Sequence, residues 1–124
     1  MKTVLIVDDE FGIAEVLALT LEDDGYRVVL AANGRQGLER LAAERPDLIL
    51  LDVTMPVMDG AAMGQAVRAD TAHDGVPIVM MSALPEAGLR ERFTGYSEFL
   101  RKPFRLPAAR EAVRRLIGDP GDDD

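Results

Sequence analysis

The sequence predicts a doubly wound α/β domain, a parallel sheet of five strands alternating with five helices, and three observations carry that prediction. Short runs of branched apolar residues recur along the chain, each too short for a helix. Segments with helical apolar spacing separate them. Most of the runs end in polar or charged residues, as strands do where an open α/β sheet forms its crevice.

The elements follow in order. Val4-Leu5-Ile6-Val7 reads as a strand buried on both faces, and it ends in Asp8-Asp9-Glu10. A helix over 11–24 comes next, because Ile13, Val16, Leu17 and Leu21 share one face and Gly25 supplies a left-handed stop. Residues 26–31 form a second strand. Asn33-Gly34 then turns into a helix that carries Leu38, Leu41 and Ala42 inward until Arg45-Pro46 ends it.

The central stretch is 46–60. Leu48 to Leu51 is confined between Pro46 and Pro56, so it is a strand, and it delivers the carboxylate of Asp52 to its end. Asp59 caps a helix through Ala69 with Ala61, Ala62, Ala66 and Val67 inward, which Gly64 weakens by about 1 kcal/mol relative to alanine. Residues 71–75 are loop, with His73 solvated, and the strand over 77–81 delivers Ser82 and the small Ala83. Pro85, Gly88 and Gly95 leave room only for a short helix over 86–93, the least stable part of the domain.

Phe99-Leu100-Arg101 is the last strand, and it ends in Lys102-Pro103. Leu106-Pro107 opens a final helix with Leu106, Ala109, Val113, Leu116 and Ile117 inward and Arg110, Arg114 and Arg115 outward. Gly118 stops it. One domain therefore spans 1–118, and 119–124 is an acidic disordered tail.

Composition narrows the function. The net charge of -8, from 22 acidic and 14 basic residues, argues against nucleic-acid or anionic-membrane binding and suits cations or basic partner surfaces. Without cysteine there is neither a disulfide framework nor a thiolate metal site. No apolar run is long enough for a signal peptide or a membrane span, so the cytoplasm is the expected location.

Right-handed crossovers place every carboxyl strand end on one edge, and there the sequence puts Asp8, Asp9, Asp52, Ser82 and Lys102. Carboxylates that close repel one another unless a cation neutralises them. An all-oxygen site suits a hard ion such as Mg²⁺. Lys102 can pair with Asp52 or with a phosphate, and Ser82 can hydrogen-bond a phosphoryl oxygen, with Ala83 leaving space for it. This is the equipment for a carboxylate that attacks phosphorus and becomes an acyl phosphate.

From Lys2 to Gly118 the chain resembles the receiver domains of two-component response regulators, of the single-domain chemotaxis type. The residues that carry the resemblance are Asp8-Asp9, Asp52, Met55-Pro56 with Asp59-Gly60, Ser82-Ala83 and Lys102-Pro103-Phe104, in order and at family-like spacing. The resemblance implies a flavodoxin-like sheet of order 2-1-3-4-5. It implies that Asp52 takes a phosphoryl group from a histidine kinase or histidine phosphotransfer protein, that Asp9, Asp52 and the Thr54 backbone carbonyl ligate Mg²⁺, and that Asp8 acts through a metal-bound water. It further implies that Lys102 contacts the phosphoryl group and that the Lys102-Pro103 bond is cis. Ser82 and Phe99 would be the switch pair, reshaping the surface around them and the last helix for an unknown protein target. Phe99 stands where the family often has tyrosine, so no hydroxyl needs a partner in either rotamer.

The chain also departs from the pattern. The segment between Ser82 and Lys102 is short, and Gly95-Tyr96-Ser97-Glu98 replaces the acidic sequence common in DNA-binding regulators. Thr54 and Leu84 fall where the family tunes loss of the phosphoryl group. The expectation is a stand-alone receiver, a phosphoacceptor that assists its own phosphorylation and dephosphorylation and is not otherwise an enzyme. The alternative is a receiver-fold adaptor that works without phosphorylation. An aspartate-nucleophile phosphatase of the haloacid-dehalogenase type fits less well, because Thr54 stands where its second acid belongs. No Gly-rich loop with its lysine supports nucleotide binding.

Overall fold

Each apolar run becomes a strand in the computed structural model, which describes residues 1–121. The elements in order are β1 (Thr3–Val7), α1 (Phe11–Asp24), β2 (Arg27–Ala31), α2 (Gly34–Glu44), β3 (Leu48–Asp52), α3 (Gly60–Ala69), β4 (Ile78–Ser82), α4 (Glu86–Arg90), β5 (Glu98–Arg101) and α5 (Leu106–Ile117). All neighbouring strands are parallel, in the order β2-β1-β3-β4-β5. This is the flavodoxin-like arrangement, with its topological switch between β1 and β3.

The continuous apolar runs are explained by two cores. Leu5, Val7, Ile49, Leu51, Ile78 and Met80 face one layer with Leu41 of α2 and Met63 and Val67 of α3. Val4, Ile6, Leu48, Leu50, Val79 and Met81 alternate with them and face Leu17 and Leu21 of α1 and Ala109 and Val113 of α5. A strand buried on both faces has no place for a polar residue until it ends.

Several helices sit differently from the sequence expectation. α1 turns Ala14, Leu17, Ala18 and Leu21 to the sheet and leaves Ile13 and Val16 exposed. Positions 14, 17, 18 and 21 recur at three- and four-residue spacing and form one stripe, with Ile13 and Val16 on its flank. In α2 Ala42 is exposed, and Gly34, Gly37 and Leu41 are buried. In α3 the inner face includes Met63 and Gly64, while Ala62 and Ala66 are only half-buried.

α4 closes at Arg90 instead of running to residue 93. The N–H groups of Arg92 and Phe93 both donate to the Leu89 carbonyl, so the chain turns sharply and drives the Phe93 ring into the core against Gly64. His73 lies in a single 3-10 turn, Thr71–His73, and is half-buried, not solvated; its Nε2 is 3.9 Å from Asp70.

Arg68 fastens this side of the sheet. Its guanidinium donates to the carbonyls of Gly95 (2.8 Å), His73 (3.1 Å), Asp74 (3.2 Å) and Val76 (2.5 Å). The outward arginines of α5 are all paired: Arg110 with Asp24, Arg114 with Asp119 and Arg115 with Glu98. The Tyr26 hydroxyl donates to the Gly118 carbonyl at 2.6 Å, and the Lys2 N–H donates to that of Pro120 at 3.3 Å. Of the expected acidic tail, Asp122, Asp123 and Asp124 lie outside the described residues. Among the described residues, no helix is long and apolar enough to cross a membrane.

Candidate functional site

Adjacent parallel strands in register bring the site together. Val7 of β1 pairs with Leu51 of β3, so the next residues, Asp8 and Asp52, leave neighbouring strand ends side by side. Gly60 shapes the turn beyond them: its N–H donates to the Val53 carbonyl at 2.9 Å, and a β-carbon there would collide with the Asp52 carbonyl. Asp59 then accepts from the Ala62 N–H at 2.9 Å and starts α3, as its capping position demands.

Lys102 arrives from β5, two strands away. Its N–H donates to the Ser82 carbonyl at 2.8 Å, its peptide bond to Pro103 is cis, and its side chain crosses the end of β4. The ammonium Nζ stands 3.0 Å from Asp8 Oδ2, 3.1 Å from Glu10 Oε1 and 3.3 Å from Asp52 Oδ1. Asp8 and Asp52 are buried, and among the described residues no buried side-chain polar atom lacks a partner.

Burial, then the charge of Asp8, push the Asp52 carboxyl up to about 6 against the opposing pull of Lys102. Burial works against the Lys102 ammonium, but its bond to Asp8, the charge of Asp52 and its bond to Glu10 outweigh it and hold its pKa above the ordinary lysine value. Asp52 is thus an ionised carboxylate at neutral pH, in a setting that favours neutralising it.

Carboxylate oxygens of Asp8, Glu10 and Asp52 lie within 4.8 Å of one another. Hard oxygen donors at that spacing fit a divalent cation that keeps part of its water shell. Asp9 is exposed and stands on the rim of the same cleft, which holds about 390 Å³ and is also lined by Thr54, Leu84 and Lys102. Ser82 is buried one strand over, and its Oγ accepts from the Leu84 N–H at 2.9 Å. Phe99 pairs in register with Met80 and is half-buried against the α2–α3 core.

Of the residues expected in the site, the fold joins Asp8, Asp52 and Lys102 directly, with Asp9 and Thr54 lining the same cleft. Glu10 is the residue that sequence reasoning missed. A signal for it existed: it precedes α1, where serine, threonine, aspartate or asparagine would cap the helix, and it makes no side-chain cap.

Known proteins share this fold. The chain is 35% identical over 120 residues to a probable transcriptional regulator, ycf27, of Cyanophora paradoxa, covering 94% of this chain and 48% of that protein. It spans about half the length of the curated relatives it matches. The solved chemotaxis protein CheY4 of Vibrio cholerae superposes with a TM-score of 0.85 at 35% identity, covering 94% of this chain and 99% of that one. The receiver domain of the sensor histidine kinase PA1611 of Pseudomonas aeruginosa, which has a magnesium ion coordinated in its active-site cleft, superposes at 0.86 with 33% identity, covering 94% and 98%. Residues 4–114 match the family model of the response regulator receiver domain. That span holds all of the sheet but Thr3, and the acid edge with its lysine, and the chain belongs to the response regulator receiver domains of two-component signalling.

Proposed function

We propose that this receiver is switched by phosphorylation of Asp52. The observation that carries the reading is the buried Asp52 carboxylate at the end of β3, with the Lys102 ammonium 3.3 Å away and Asp8 beside it. The donor is a phosphohistidine on a histidine kinase or a phosphotransfer protein. An Asp52 oxygen attacks the phosphorus, an O–P bond forms, and the P–N bond breaks with its electron pair left on the imidazole nitrogen.

Asp9, Asp52 and the Thr54 carbonyl would hold Mg²⁺, with Asp8 acting through a bound water, and the ion supplies neutralising charge for the transferring group. The oxygen cluster of Asp8, Glu10 and Asp52 and the magnesium in the PA1611 receiver support that reading. Lys102 pairs with the phosphoryl oxygens. The Ser82 hydroxyl exchanges the Leu84 N–H for the phosphoryl group, Phe99 turns into the space so opened, and the surface of α4, β5 and α5 is presented to a protein target.

Intact-protein mass after incubation with Mg²⁺ and acetyl phosphate, or with a phosphorylated histidine kinase, tests the acceptor. One Mg²⁺-dependent phosphoryl adduct that is absent from Asp52→Asn is expected. An adduct that persists in the variant, or none from either donor, overturns the assignment.

A further inference from the structure

Glu10 does something its position does not call for. It stands at the N-cap of α1 with extended backbone, yet its carboxylate accepts from no N–H of the first turn. The side chain reaches Lys102 instead, with Oε1 at 3.1 Å from Nζ. Its backbone N–H meanwhile donates to Asp8 Oδ1 at 2.8 Å. One residue therefore fixes both a buried acid and the lysine of the site.

The two ends of that lysine's environment differ. Asp8 and Asp52 hold the ammonium from below, with side chains 0% and 6% exposed, whereas Glu10 holds it from the solvent side at 58% exposed. A divalent cation held by Asp9 and Asp52, with Asp8 engaged through a bound water, would compete for the carboxylates that the ammonium occupies and repel it. A lysine on a flexible stem that loses both inner partners would otherwise spread over many rotamers.

We infer that Glu10 is a positioning residue for phosphoryl transfer: it keeps the Lys102 ammonium at the mouth of the cleft, beside the incoming phosphoryl oxygens, once the inner carboxylates are given over to the cation. This rests on the phosphoacceptor reading of Asp52. The contribution expected of one exposed ion pair is about two- to fivefold.

The test compares the full chain with Glu10→Gln and Glu10→Asp by three measurements. NMR relaxation of the Lys102 side chain at saturating Mg²⁺ reads the tether itself, calorimetry reads Mg²⁺ affinity, and titration with beryllofluoride at saturating Mg²⁺ reads binding of a phosphoryl mimic. Glu10→Gln is expected to loosen Lys102 and to weaken beryllofluoride about two- to fivefold, with a smaller loss in Mg²⁺ affinity. Glu10→Asp, which keeps the charge but draws it back by a methylene, should behave as Glu10→Gln does.

A loss confined to Mg²⁺ affinity would make Glu10 a metal ligand and overturn the inference, as would a Glu10→Asp variant indistinguishable from wild type. If Lys102 loosens as expected but the wild-type protein binds no beryllofluoride and takes no phosphoryl group, the phosphoacceptor reading is what has failed, and the role in transfer falls with it.

Discussion

The Phe93 ring lies so close over Gly64 that a β-carbon there would stand 2.5 Å from Cε2 and 2.7 Å from Cζ. The glycine that weakens α3 locally is therefore the socket for the residue that ends the α4 turn. Phe93 in turn meets Tyr96, with ring centroids 6.0 Å apart.

Gly64→Ala should destabilise the domain although alanine favours the helix by about 1 kcal/mol. Displacing a buried ring in a packed core costs about 1–3 kcal/mol and outweighs the gain. Urea unfolding should show a lower midpoint for the variant, and a higher one would mean that Phe93 moves aside freely.

Asp52→Asn should stabilise the metal-free protein at pH 7 by about 1–3 kcal/mol. The folded carboxyl titrates near 6, above the ordinary carboxylate value, because burial and Asp8 disfavour its charge. Its contribution to stability is therefore present in full below the unfolded pKa and is lost as pH rises through 6. The advantage of asparagine should be seen at pH 7.5, shrink between pH 6 and 4, and disappear below. Thermal melts of both proteins across that range check the sign, and saturating Mg²⁺ should remove the difference at pH 7.5.

Asp59 titrates in the other direction. The bond from Arg92, at 2.8 Å to Oδ2, and the N–H of Ala62 hold its carboxyl below the ordinary value. Asp59→Ala should cost about 1–2 kcal/mol at neutral pH, mostly as a lost helix cap. That contribution is present above the unfolded pKa and lost as pH falls through the lower folded one. Unfolding midpoints of wild type and variant should converge in acid.

Val57 carries a positive φ of 68° with its side chain exposed. A β-branched residue in that region is strained, and no burial offsets the strain. Val57→Gly should stabilise the β3–α3 loop by about 1 kcal/mol, net of the added freedom of the unfolded chain. Equal unfolding midpoints would show that the loop relaxes around valine at no cost.

The fold was legible because its strands are buried on both sides: Leu48 to Leu51 can hardly be anything else between two prolines, and Asp52 has no reason to follow them except chemistry. What could not be read were the choices that depend on neighbouring helices. Ile13 and Val16 share an apolar arc with Leu17, but only packing shows that Ala14 and Ala18 are the face that meets the sheet. The end of α4 at Arg90 is set by Phe93 finding Gly64, a contact 29 residues apart along the chain. At the site, Asp8, Asp52 and Lys102 could be placed because each ends a strand or directly follows one. Glu10 stood only as the third acid after β1, since a lysine 92 residues away gives it its partner.

Arg68 carries a consequence for motion in the sheet. Through Val76 and Gly95 it clamps the chain just ahead of β4 and just ahead of β5, the two strands whose far tips present Ser82 and Lys102. The pair is built like two beams anchored in one root. Any rearrangement at the tips would then be a bending about a fixed base, not a sliding of one strand past the other, and would keep the register between β4 and β5.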